Sequence, residues 1–205
     1  MDTIKEHWEK IYSTKTSQEL SWTQDVPETS LGFIHSFNLP KDAAIIDVGG
    51  GESKFVDFLL DEGFTNITVL DISEEALKKS QLRLGKRATM VSWILSDVTE
   101  FKPLHKFSVW HDRATFHFLT TREQIEKYVA LAAQSVKENG YMAIGTFSEN
   151  GPKKCSGLAT KQYSENDLEK TLTYYFKKLR CITEDHITPF HTVQNFLFCS
   201  FRRAA

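Results

Sequence analysis

The chain has 205 residues, 40% of them hydrophobic and 25% charged, with a formal net charge of −2. That is enough for one well-filled domain rather than two, and the near-neutral charge counts against nucleic acid, a polyanion that calls for a basic excess. No apolar run reaches membrane-spanning length and the charged opening MDTIKEHWEK lacks the apolar core of a secretory signal, so the expectation is a cytoplasmic protein without a membrane partner.

The first forty residues read as an N-terminal helical extension. An aromatic-bearing stretch, HWEKIYSTKTSQELSWTQDVPETS, leads into a second helix over SLGFIHSFNLP. Residues 41–205 form the main domain. AAIIDV (43–48) is a buried strand, and KFVDFLLDEG after it has helical spacing, with Gly63 as a stop. NITVLDI (66–72) is the second strand. SEEALKKSQLRLG is a helix with Ser73 as N-cap, two acids in the first turn and Gly85 at its end. TMVSWILSD (89–97) and KFSVWHD (106–112) are the third and fourth strands. Thr121 and Gln124 have capping-box spacing before a helix running to Gly140, and YMAIGTF (141–147) is the fifth strand. Alternation of strand and helix from 43 to 147 implies a parallel sheet with helices on both faces.

After residue 147 the pattern changes. SENDLEKTLTYYF (164–176) reads as a helix. LRCITEDHI and TVQNFLFCSF follow, separated only by TPFH. That gap is too short for a crossover, so the two strands form an antiparallel hairpin. The fold class is therefore α/β, a Rossmann-like doubly wound seven-stranded sheet with an antiparallel last strand. FLFCSFRR ends in charge, which discourages pairing at an open sheet edge. Three cysteines, Cys155, Cys181 and Cys199, are scattered and odd in number. They fit a reducing compartment and argue against a disulfide framework or a zinc knuckle.

The stretch IIDVGGGES carries the first functional signal. Glycines between strand and helix let a ligand approach the main chain. Gly49, Gly50 and Gly51 are followed by Glu52 and Ser53, so the third glycine of the dinucleotide pattern is missing. A glutamate there would repel a pyrophosphate, and no Walker lysine is present. Asp71, about twenty residues on at the end of the second strand, can accept both hydroxyls of a ribose. Asp97, with Val98 beside it at the end of the third strand, can meet an adenine edge. Asp47, Asp71 and Asp97 at three successive strand ends describe a nucleoside site without phosphate, better suited to a cationic ligand than to an anionic one.

This constellation resembles the class I S-adenosylmethionine-dependent methyltransferases, from Ile45 to Phe201. IIDVGGGES is similar to their glycine motif, VLDIS to their ribose acid, SDVTEF to their adenine motif and VWHDRATFHFL to their post-strand-four motif. Ser53 stands where the last glycine often is. WHDRATFHFLT, with HWEKIY and SWTQ, is similar to a bacterial group of small methyltransferases distantly like the citrate synthase and elongation factor lysine methyltransferases. The resemblance implies S-adenosylmethionine as cofactor, with S-adenosylhomocysteine as product. It also implies a cofactor site of Asp47, Gly49, Gly50, Gly51, Ser53, Asp71, Ile72, Asp97, Val98 and Asp112. In such proteins the N-terminal segment folds over the cofactor as a lid. Tyr12 and Trp22 are then candidates to face the sulfonium, or else simply pack the extension onto the domain.

The acceptor is expected at the carboxyl ends of strands four to six. His111 and His117 fall at the end of strand four, and His186 and His191 at the hairpin turn. All four are candidate catalytic residues, with one available as general base, or else packing and surface histidines. Cys155 lies on the loop after strand five. No tight HxxxH or CxxC pattern supports a metal. The leading expectation is a small-molecule acceptor. The alternatives are a protein lysine substrate and a cofactor-binding protein without catalysis. Oligomeric state is not legible.

Overall fold

The computed structural model describes residues 3–204; Met1, Asp2 and Ala205, at the outer ends of the extension and the main domain, lie outside the described residues. The extension comprises α1 (Ile4–Thr14) and α2 (Glu28–Ser36). Then come β1 (Ile45–Val48), α3 (Phe55–Asp61), β2 (Ile67–Asp71), α4 (Glu74–Leu84), β3 (Val91–Leu95), β4 (Phe107–Arg113), α5 (Arg122–Ser135) and β5 (Val136–Phe147). A two-residue pairing of β6 (Lys154–Cys155) with β7 (Leu158–Ala159) folds the following loop back on itself. The chain closes with α6 (Glu165–Leu172), β8 (Phe176–Ile187) and β9 (Val193–Arg203).

Seven strands form one sheet in the order β3-β2-β1-β4-β5-β9-β8. The first five pair in parallel, and β9 is antiparallel to both of its neighbours. Each face carries its own core. Ile46, Val48, Trp110 and Ile144 pack with Tyr128 of α5 and Leu168 of α6. Ile45, Val69, Val109 and Ala143 pack with Phe33 of α2, Leu59 of α3 and Leu77 of α4. Alternation along each strand sorts the residues between the two.

Local signals act as their chemistry requires. The Ser73 side chain accepts from the amide of Ala76 to start α4, and Thr121 with Gln124 forms a capping box on α5. The extension is tied down through Glu9, whose carboxylate accepts from the amides of Glu74 and Glu75 at 2.7 and 3.1 Å and from the Ser73 hydroxyl. A carboxylate at a helix N-terminus satisfies free amides and complements the dipole. This holds α1 across the end of β2.

Three expectations are corrected. The helix read as reaching Gly140 stops at Ser135, and Val136 opens β5 against Phe107. Asn139, at φ 61°, lies in a strand irregularity rather than at a helix end. FLFCSFRR is not at the sheet edge, because β9 lies between β5 and β8; the edge on that side is β8, with exposed Lys177 and Arg180. Cys181 and Cys199, though 18 residues apart, stand opposite each other in the β8–β9 register and form a disulfide. Sequence spacing hid this pairing, which the hairpin register creates.

Candidate active site

The parallel strands deliver their carboxyl ends to one edge of the sheet, beneath the extension. Two cavities open there and meet along Tyr12, Trp22, Gly49 and Arg113. One is lined by Asp47, Gly49, Gly50, Glu52, Ser53 and Lys54. The other runs from Asp71, Ile72, Asp97 and Val98 to His117, Phe147, Cys155 and Phe196, under Trp8 and Tyr12.

The glycine turn is tight because the chain's own side chains crowd it. Gly49 has φ +64° and a Cβ there would overlap the Thr115 hydroxyl. Gly51 has φ +48°, and its Cβ would sit 2.6 Å from the Tyr12 hydroxyl and 3.2 Å from Asp71 Oδ2. An L side chain at such φ is strained even where space exists. Glycine here therefore lets the extension and the ribose-type acid close on the backbone. Gly51 itself lines neither cavity.

The acids differ in their surroundings. Asp71 is 5% exposed, and Oδ1 accepts from the Ser73 amide at 2.8 Å. Burial pushes its carboxyl up to about 7, against backbone donors from Ser73, Gly51 and Ile72 that favour the ionised form. Asp97 Oδ1 accepts from the Thr99 amide and hydroxyl at 2.7 and 2.8 Å, turning the chain under Val98. Asp47 gives Oδ1 to His111 Nδ1 at 2.7 Å, while its Oδ2 is buried without a partner. A lone buried carboxylate oxygen beside a cavity is a place for a cationic donor.

Strand alternation decides what β4 contributes. Asp47 pairs with His111 in the sheet, so His111 and Arg113 share one face and Asp112 the other. Asp112 lines neither cavity, contrary to its expected cofactor role. Its carboxylate accepts from the Tyr128 hydroxyl at 2.5 Å and from the amides of Thr115 and Phe116. Tyr128 in turn accepts from Trp110 Nε1 at 2.8 Å. Burial raises the Asp112 carboxyl to about 6. Its work is to hold the turn at 115–118.

The histidines converge only in part: the rings of His117 and His186 lie 6.3 and 6.1 Å from that of Phe196, while His111 and His191 lie elsewhere. His111 is buried between Asp47 and Ser30, with Nε2 at 2.9 Å from the serine hydroxyl and Phe55 stacked at 4.1 Å. It lines the glycine-side cavity. His186 is buried and donates from Nε2 to the Ser21 carbonyl at 2.7 Å, and burial lowers its pKa. His191 is exposed at φ 59° on the hairpin turn. Neither His186 nor His191 lines the cavities. His186 thus reaches the Phe196 ring at 6.1 Å without lining the cavity, while His191 stays out on the turn.

His117 alone reaches the aromatic end of the second cavity. It is fully buried and stacks on Phe147 at 4.0 Å. Its Nδ1 accepts from the Phe147 amide at 3.3 Å. Burial, aided by the charge of Arg113, lowers its pKa to about 3. The imidazole is therefore neutral with the proton on Nε2, which has no partner. His117 is a donor, not the expected base.

From the sequence, Arg113 falls at the end of strand four beside the acceptor region without an assigned role, and Trp8 gives no site signal. Trp8 packs edge-on against Trp22 and Phe118 at 5.7 and 5.0 Å, completing an aromatic roof with Tyr12. The signal for Arg113 was present in the two-residue alternation from His111. Among the described residues, no three His, Cys, Asp or Glu side chains come together as around a metal ion, and no helix is long and apolar enough to cross a membrane.

Comparison with known proteins places this site in context. Residues 45–140 match the family model for a methyltransferase domain. The eEF1A lysine and N-terminal methyltransferase of Bos taurus is 26% identical over 165 residues, covering 77% of this chain and 23% of that protein. EEF1A lysine methyltransferase 2 of Mus musculus is 29% identical over 157 residues, covering 68% of this chain and 64% of that protein. The chain thus spans about a quarter of the first of these relatives. A structure described as showing conversion of a disulfide bond into a thioacetal group during echinomycin biosynthesis superposes with TM-score 0.79 at 14% identity, over 98% of this chain and 93% of the other.

Proposed function

We propose that this chain is a class I S-adenosylmethionine-dependent methyltransferase, a reading supported by its methyltransferase-domain match over residues 45–140 and by its fold, and that it methylates a small-molecule acceptor held under the extension. The observation that carries this reading is the cavity itself. It joins the strand-end acids to a roofed aromatic end closed by Trp8, Trp22, Phe147 and Phe196, a shape for a flat ligand rather than for a protein surface.

The residues present fit the cofactor. Asp71 would accept the ribose hydroxyls, and Asp97 with Val98 would take the adenine, all three lining one cavity. The unpartnered Asp47 Oδ2 suits an ammonium group. Tyr12 and Trp22, which line the cavity, would supply the aromatic contact to a sulfonium. When bound, the cofactor supplies an electrophilic methyl group. The chain's own work is then to align the acceptor and exclude water. The roof formed by α1 performs the exclusion and is fixed by Glu9 on the start of α4. His117 offers its Nε2–H as a donor to the acceptor.

A second reading is methylation of a protein lysine, favoured by the names of the two relatives. Against it, the carboxylates lining the two cavities are Asp47, Glu52, Asp71 and Asp97. All four belong to the glycine turn and the β1–β3 ends, and none to the aromatic end where an ammonium would need one. The test is methyl transfer from radiolabelled cofactor to a cell extract, separated by filtration. Label in the low-molecular-weight fraction supports the small-molecule reading, and label retained only on protein overturns it in favour of lysine.

A further inference from the structure

Resting on the methyltransferase reading, the polar groups left unpaired at the aromatic end narrow the acceptor's chemistry. Arg113 donates from Nη1 to the Trp22 carbonyl at 2.8 Å, and its guanidinium lies 5.0 Å over the Phe196 ring. Its Nε and Nη2 are buried with no hydrogen-bond partner. Among the described residues it has no ion pair within 4.0 Å; Glu184 and Asp47 are the carboxylates whose charge it feels. His117 Nε2–H is a second buried donor without a partner. Both residues line the same cavity.

Arg113 is half-buried, but two of its donors are shut from solvent without a partner, and such donors are costly unless an anion completes them. A guanidinium fork suits a planar or soft anion, and an aromatic wall beside it suits a flat apolar body. A lysine ammonium would meet the opposite: like charge, donors facing a donor, and no carboxylate lining that end. The general-base role is also vacant, because the His117 lone pair at Nδ1 is held by the Phe147 amide.

We infer that the acceptor enters as a small, flat anionic nucleophile, a thiolate or phenolate, with Arg113 as its counter-ion and His117 Nε2–H as its second donor. The charges then balance without proton transfer. The acceptor's lone pair forms the bond to the methyl carbon, the sulfur–carbon bond breaks, and its electron pair returns to sulfur. An anion and a sulfonium become two neutral products. The guanidinium, which burial lowers only to about 10, remains charged throughout at neutral pH.

The experiment is calorimetric binding to the S-adenosylhomocysteine-loaded chain, with 4-nitrothiophenolate, 4-nitrophenolate and benzylamine as probes. Wild type, Arg113→Gln and Arg113→Lys are compared, folding is checked by circular dichroism, and S-adenosylhomocysteine affinity is measured in the same samples. The expected result is binding of at least one anion and not of benzylamine. Arg113→Gln should weaken that anion about tenfold or more, as for a lost charge-assisted bond, and Arg113→Lys should weaken it less. S-adenosylhomocysteine affinity should stay within about twofold. Which anion binds separates thiolate from phenolate.

Benzylamine binding in place of the anions overturns the inference while leaving the methyltransferase reading intact. A parallel loss of S-adenosylhomocysteine in Arg113→Gln, with the fold retained, also overturns it, since Arg113 would then serve the cofactor. Wild type that binds no S-adenosylhomocysteine overturns both.

Discussion

Cofactor affinity should depend on pH through Asp71. In the ligand-free chain, burial holds this carboxyl at about 7, above its ordinary value of 3.8. Ribose hydroxyls donate to a carboxylate, so they favour the ionised form and pull the pKa back down. Binding then releases a proton, and affinity rises with pH until the group is ionised before the ligand arrives. The sign follows from the raised value: below about 7 the ligand must first strip a proton from the acid, and above it no such cost remains. If only the ionised form binds, its population climbs from roughly a tenth at pH 6 to roughly nine tenths at pH 8. That is about a tenfold gain in affinity, or about 1.4 kcal/mol. Titration calorimetry with S-adenosylhomocysteine, in buffers of different ionisation enthalpy, reads both the affinity and the proton released. Asp71→Asn should bind more weakly and lose the pH dependence. Affinity that is flat from pH 6 to 8 with no proton release in wild type would refute the reasoning.

Three further outcomes are expected. Trp22→Ala should weaken S-adenosylmethionine about fivefold more than S-adenosylhomocysteine, because only the sulfonium gains about 1 kcal/mol from an aromatic face; equal losses for both ligands would mean that Trp22 only packs the extension. Tyr128→Phe should cost about 2 kcal/mol in urea unfolding, since it strips a hydrogen bond from buried Asp112 and the partner from Trp110 Nε1. S-adenosylhomocysteine affinity should barely change there, and a large binding loss would return Asp112 to the site. His117 should remain neutral from about pH 5 to 9 with its proton on Nε2; nitrogen-15 imidazole spectra showing two protonated nitrogens at pH 6 would refute that assignment.

The strand-end acids were legible because their chemistry lies close to the backbone. Asp47, Asp71 and Asp97 sit where short apolar runs end, and parallel strands deliver such ends to one edge of the sheet. The side of the sheet was harder. Asp112 reads like its three predecessors, yet one step of alternation turns it towards Tyr128 while Arg113 turns to the cavity. Aligning Asp47 with His111 across the sheet would have separated them, but that register is a tertiary fact. The hairpin histidines were hard to place for another reason. His186 lies near the correct edge, but its ring is spent on the Ser21 carbonyl, a contact 165 residues distant in the chain. The Cys181–Cys199 bond has the same origin, created by hairpin register rather than by any local motif.

The most direct test of the whole argument is calorimetric titration of the purified chain at pH 8 with S-adenosylmethionine, S-adenosylhomocysteine and NAD. The expected result is one site per chain for each of the two sulfur ligands and none for NAD, whose pyrophosphate would meet Glu52. Binding of neither sulfur ligand, or of NAD in their place, would contradict the assignment of the glycine turn and everything built on it.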